Sequence, residues 1–151
     1  MDLRKLVGSG DRIALLVLPF LVIGVILNRE SPAAFTVGGP PSWLGALSLA
    51  VLVPGVTIWI WSVALILVNV PRGQLITVGP YALVKHPLYS AVALLVIPWM
   101  GFLLDTWLGV VIGAVLYAGS RMFAPAEEAA LFRTFGPLWE DYTRRLKLRW
   151  L

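Results

Sequence analysis

Two short polar clusters hold most of the residues in this chain that could do chemistry. The first, GPYALVKHPLYSA over residues 79–91, carries Tyr81, Lys85, His86 and Tyr89, and His86 is the only histidine. The second is the pair Glu127-Glu128, just after Pro125, in a chain with eight acidic residues. Proline directly after His86 favours the first position of a helix, where the missing N–H is an orphan in any case. A helix start leaves unpaired N–H groups and a partial positive charge, which suits a carboxylate or phosphate. Lys85 would add a full positive charge there, and His86 a switchable donor. The two tyrosines offer hydroxyls and π faces. The same residues also read as architecture: Gly79-Pro80-Tyr81 as a turn, Lys85-His86 as a polar boundary, Tyr89 as an interface anchor. Glu127-Glu128 suits a cationic ligand, and equally the first turn of a helix, whose dipole favours acids.

The elements that must position these clusters are apolar helices. Hydrophobic residues make up 59% of the 151 residues and charged residues 13%, with a mean hydropathy of +0.86. Soluble domains carry roughly a quarter charged residues, so the composition predicts an all-α integral membrane protein. Four stretches lack any charge: residues 13–27, 43–70, 87–104 and 106–120. The first would rise only about 22 Å as helix and needs flanking residues or a thinned bilayer to cross. The second holds Pro54-Gly55 near its middle and is too short for two crossings, so it reads as one tilted, kinked helix. Asp105 is the only charge between the last two, which predicts a tight hairpin. Residues 1–151 are expected to form a single membrane-embedded domain.

With four crossings, the N-terminus, the 71–86 loop and the tail share one side. That side holds Arg4, Lys5, Arg12, Arg72, Lys85, Arg121, Arg133, Arg144, Arg145, Lys147 and Arg149; the other holds Arg29. This imbalance predicts cytoplasmic termini, with Trp43 and Trp107 at the outer interface and a bacterial or archaeal inner membrane as the location. The basic residues around the first stretch could also serve a signal peptide, but no small-x-small cleavage site follows, so a retained anchor is expected. The net charge of +4 reads as orientation and contact with anionic membrane lipid, with no nucleic-acid partner expected. One histidine and no cysteine leave no structural zinc or haem site, and no metal is expected. No charged residue lies inside the four stretches, which disfavours an ion pathway and leaves chemistry to the rim.

From Ala126 the pattern becomes amphipathic. Leu131, Phe135, Leu138 and Tyr142 recur at helical spacing. Gly136-Pro137 is expected to split this tail into two short helices lying in the interface or over the span ends.

GPYALVKHPLY, followed some forty residues later by EEAALFRTFGPLWEDYTRRL, resembles the membrane methyltransferases that include isoprenylcysteine carboxyl methyltransferase and the phospholipid N-methyltransferases. Those proteins carry Gly-Pro-Tyr, then Arg-His-Pro-x-Tyr, then a Glu-Glu pair, a Phe-Gly and a tyrosine-bearing tail. The likeness covers residues 72–149. It implies a multi-span enzyme binding S-adenosylmethionine (SAM) at the cytoplasmic face, with a lipophilic acceptor such as an isoprenylcysteine carboxylate, a phospholipid amine or a small thiol. The cofactor site it implies comprises Gly79, Pro80, Tyr81, Lys85, His86, Pro87, Tyr89, Glu127 and Glu128, with His86, Glu128 and Arg121 as catalytic residues. Lys85 stands where the family has Arg, losing a bidentate fork. No Arg directly precedes the Glu pair, so Arg121 is the substitute for an acceptor-orienting guanidinium. The tail ends Leu146-Lys147-Leu148-Arg149-Trp150 in place of a Val-Pro-Arg close. Two other readings remain open. One is an NADPH-dependent membrane reductase of the sterol type, whose His-Pro-x-Tyr region differs from Leu88 and Ser90-Ala91 here. The other is a non-catalytic membrane scaffold that keeps the fold.

Overall fold

The computed structural model describes residues 10–39 and 41–148. Arg4, Lys5, Arg149 and Trp150, which bear on the charge and tail expectations, lie outside the described residues. The described chain is helical throughout. Helix α1 (Gly10–Glu30) is followed by the single turn α2 (Pro32–Phe35) and by α3 (Ser42–Asn69), which a 3-10 turn extends over Val70–Arg72. A second 3-10 turn spans Gly79–Ala82. Then come α4 (Pro87–Leu103), α5 (Leu108–Phe135) and α6 (Pro137–Arg145). Among the described residues there is no strand, only an isolated parallel bridge between Val84 and Leu148.

Among the described residues, three helices are long and apolar enough to cross a membrane: α1, α3 with its extension, and α5; α4 is shorter. The first charge-free stretch understates its helix. Asp11 joins the first turn and Arg29 the last, where each complements the dipole, so α1 reaches 21 residues, about 30 Å of helix with its charged residues at the two ends. Helix α3 runs unbroken through Pro54. Leu15, Val25, Val53 and Ile60 are each more than half exposed, as an apolar face turned to lipid would be.

The tail corrects the sequence-based expectation. Instead of a span ending at 120 and a new helix from 126, α5 continues unbroken to Phe135. Proline removes one backbone hydrogen bond, but Ala-Glu-Glu-Ala-Ala-Leu after it are strong helix formers. Glu127 and Glu128 therefore sit deep in a long helix, and the helix dipole no longer accounts for them. The break at Gly136 does occur: it adopts a φ of 52°, and Pro137 opens α6.

Small residues let the helices meet backbone to backbone. A Cβ at Gly109 would lie 2.6 Å from the Ile97 carbonyl oxygen, and one at Gly55 2.6 Å from Leu95 Cβ. Helix α4 widens into a π turn over Ala91–Val96. One apolar core joins Ile13, Val17 and Ile112 to Tyr89 and Ile97. A second, around Trp139, Tyr142 and Leu146, packs on Leu75, Leu131 and Phe135.

The bundle thus has two differently built ends. At one, the 104–107 turn is fastened to the segment after α1. Trp107 N–H donates to the Phe35 carbonyl at 3.1 Å, and Asp105 accepts from the Thr36 hydroxyl and the Val37 and Gly39 amides. At the other end, the 73–86 segment meets the last turns of α5 and the tail.

Candidate functional site

The site is built where the start of α4 faces α5. Pro87, buried, is the first residue of α4, and His86 is its cap residue with φ −124° and ψ 59°. The imidazole makes no cap hydrogen bond; it reaches across to α5 instead. His86 Nε2 lies 3.3 Å from Glu128 Oε1, and Lys85 Nζ donates to Glu128 Oε2 at 2.7 Å. One carboxylate thus meets two nitrogen groups, one at each oxygen. The three side chains are 18%, 10% and 25% exposed for Lys85, His86 and Glu128 respectively, so water screens the cluster only in part. Charged hydrogen bonds of this kind contribute about 1.5–3 kcal/mol where screening is weak.

The Gly-Pro-Tyr turn forms the adjoining wall. Gly79 has a φ of 62°, and a Cβ there would meet the Trp61 ring at 3.0 Å, so both backbone and space call for glycine. Burial pushes the Tyr81 phenol above its ordinary pKa, and the nearby Glu127 carboxylate and the Tyr142 and Tyr89 hydroxyls push the same way. The Tyr142 hydroxyl donates to the Tyr81 carbonyl at 2.8 Å. Its own pKa is raised, first by burial and then by the Glu128 charge. The His86 and Tyr89 rings lie 6.4 Å apart, centroid to centroid. The tail returns over the loop, where Leu148 N–H donates to the Leu83 carbonyl at 3.1 Å.

The sequence-predicted residues therefore divide. Tyr81, Lys85, His86, Tyr89, Glu127 and Glu128 come together, while Gly79, Pro80 and Pro87 shape the backbone that holds them. Arg121 shares a helical face with Glu128 but lies two turns away, about 10 Å along the axis. It is exposed, and no hydrogen bond or ion pair ties it to the cluster. Tyr142 is the residue that sequence reasoning missed. It passes for one more member of an apolar stripe, and its hydroxyl was the signal that a polar partner awaited it.

A cavity of about 720 Å³ runs between the 73–82 segment and α6, with Leu75, Phe135, Asp141 and Arg145 among its walls; it adjoins the site only through Ala82 and Tyr142, and Lys85, His86 and Glu128 do not line it. Its size falls in the range of small-molecule sites. Among the described residues, no group of three or more His, Asp or Glu side chains could hold a metal ion. The donor set does fit SAM: Lys85 and His86 can donate to a carboxylate, and Glu127 and Glu128 can accept from an ammonium or ribose hydroxyls. Phenol faces suit a sulfonium. Comparison with protein-family models, with curated proteins and with solved structures found no match to this chain.

Proposed function

We propose that this chain is an integral membrane methyltransferase that takes its methyl group from SAM and delivers it to a lipophilic or membrane-associated carboxylate, amine or thiol. One observation carries the reading. The two sequence boxes that resemble the membrane methyltransferases, 43 residues apart, meet through Lys85, His86 and Glu128. The reading takes α4 as a short fourth crossing and puts the cluster on the cytoplasmic side of an inner membrane in a bacterium or archaeon. The charge distribution supports this, with the 71–86 loop and the tail rich in Lys and Arg and the 28–41 segment holding only Arg29.

When bound, SAM supplies an electrophilic methyl group. The work left to the chain is positioning and exclusion of water, which dominate an in-line displacement. Lys85 and His86 hold the ligand's carboxylate, while Glu128 and Glu127 take its ammonium and ribose hydroxyls. Tyr81 and Tyr89 line the cationic centre. His86 can also accept a proton where the acceptor is an amine or thiol. Arg121, two turns further along α5 and exposed, is the candidate for an anionic group elsewhere on the acceptor and not for its reacting atom.

A second reading has one observation in its favour: Lys85 and Glu128 satisfy each other, as a purely structural cross-link in a non-catalytic scaffold would. The test is transfer from methyl-labelled SAM by the full chain in lipid nanodiscs. The acceptor panel holds prenylated cysteines, aminophospholipids and small thiols. Label in a lipophilic product is the expected result. Turnover of water-soluble acceptors alone would remove the lipophilic assignment. Tight NADPH binding without response to SAM would make the chain a reductase, and response to neither would make it a scaffold.

A further inference from the structure

The cation and the anion of the cluster are closed onto each other. Lys85 Nζ is 2.7 Å from one Glu128 oxygen and His86 Nε2 3.3 Å from the other, so the carboxylate of Glu128 already occupies the anion site that Lys85 and His86 make. A ligand bringing only a carboxylate must displace Glu128. That strands a carboxylate at 25% exposure beside the buried Tyr142, with Glu127 of the same sign next to it in sequence. A ligand bringing only an ammonium can win Glu128 only by stranding Lys85, which is 18% exposed. Removing one partner of a partly buried pair is unfavourable because the other is left without compensation.

A group carrying both charges on one carbon meets neither obstacle. Its carboxylate takes Lys85 and His86 as its ammonium takes Glu128, so one internal ion pair opens and two ligand pairs replace it. We infer that the Lys85–Glu128 pair is a zwitterion filter, which opens for the free α-amino-acid end of a ligand and stays shut to ligands with one charge or none. This inference rests on the proposed ligand site at the cluster. It adds that selectivity comes from the closed pair itself, as discrimination against ligands that leave a site's own polar groups unpaired. The same pair ties the 79–86 loop to α5.

The test measures binding to the full chain in nanodiscs, by equilibrium dialysis, for a set of related probes. SAM and S-adenosylhomocysteine carry the whole amino-acid end, decarboxylated SAM only the ammonium, and 5′-methylthioadenosine neither. The first two should bind, and the last two at least about 100-fold more weakly. In the neutral double variant Lys85→Met/Glu128→Gln, the spread between SAM and 5′-methylthioadenosine should shrink below about tenfold. The wild-type comparison needs no variant to fold. Binding of 5′-methylthioadenosine or decarboxylated SAM within about threefold of SAM would overturn the filter while leaving the methyltransferase reading intact. Binding of free methionine, and of no adenosyl compound, would keep the filter and remove the methyltransferase reading. Binding of no probe at all would remove both.

Discussion

Replacing Tyr142 by Phe deletes one oxygen atom and leaves the ring among Trp139, Leu146, Leu131 and Phe135. The lost group is the donor of a 2.8 Å hydrogen bond to the Tyr81 carbonyl. A neutral hydrogen bond contributes a net 0.5–1.5 kcal/mol, roughly, with a further penalty when the remaining partner is sealed from water. Tyr81 is only partly buried, so the expected loss is about 1–2 kcal/mol. That loss should be local, because the bond ties the Gly-Pro-Tyr turn to α6 and touches nothing in α1 or α3. Amide hydrogen exchange on the protein in micelles is the assay. Residues 81–86 should exchange about 5–30-fold faster in the variant, with α1 and α3 unchanged. An alkaline titration gives a second signature. Burial holds the phenol above its ordinary value of 10.0, so its contribution is complete below that pH. It is lost as pH rises further, because the unfolded chain ionises first. The stability gap between wild type and Tyr142→Phe should narrow above about pH 10. Unchanged exchange at 81–86, or a gap that widens at high pH, would refute the reasoning.

Three further perturbations test other parts of the account. Gly109→Val should destabilise by about 1–3 kcal/mol in denaturant unfolding, since its Cβ would meet the Ile97 carbonyl at 2.6 Å. Gly45→Val, with nothing within 4 Å of the new Cβ, is the control, and equal losses would discredit the close helix contact. At the opposite end, hydrogen bonds from Thr36, Gly39 and Val37 hold the Asp105 carboxyl below its ordinary value of 3.8. Its contribution is therefore present above that value and lost as pH falls through the lowered one. Asp105→Asn, which tolerates the residue's φ of 55°, should speed exchange of the Val37 and Gly39 amides at neutral pH and remove its acid dependence; equal protection in both proteins would contradict the clasp. Finally, Glu128→Gln should loosen the 79–86 loop, seen as faster exchange there, because the Lys85 charge loses its partner.

Much of this arrangement was legible where local chemistry decides structure. His86-Pro87 marks the start of α4 because proline's fixed φ and missing N–H suit a first turn. Gly136-Pro137 marks the break before α6 for related reasons, a glycine at positive φ followed by a proline at a first position. Local chemistry misled at Pro125, where the helix-forming residues on its C-terminal side outweigh one missing bond. It also could not reveal which partners satisfy which charges. Lys85 and Glu128 each read as half of a ligand site, and only the approach of α4 to α5 joins them directly. Asp105 was visible as the lone charge of a hairpin, but its three donors come from a segment some seventy residues earlier. The π turn at Ala91–Val96 has no evident signature in an otherwise uniform apolar run. Tyr142 shows the same limit, since its stripe position is set by period and its bond to Tyr81 by tertiary contact.

The central claim is that Lys85, His86 and Glu128 form a SAM site, and its most direct test is calorimetric titration of SAM into the full chain in nanodiscs. Saturable binding is predicted for the wild type, weakened at least about tenfold by His86→Ala and by Glu128→Ala, each of which removes a charged or polar contact worth 1.4 kcal/mol or more. SAM binding that both substitutions leave unchanged, or no SAM binding by the folded wild type, would contradict it.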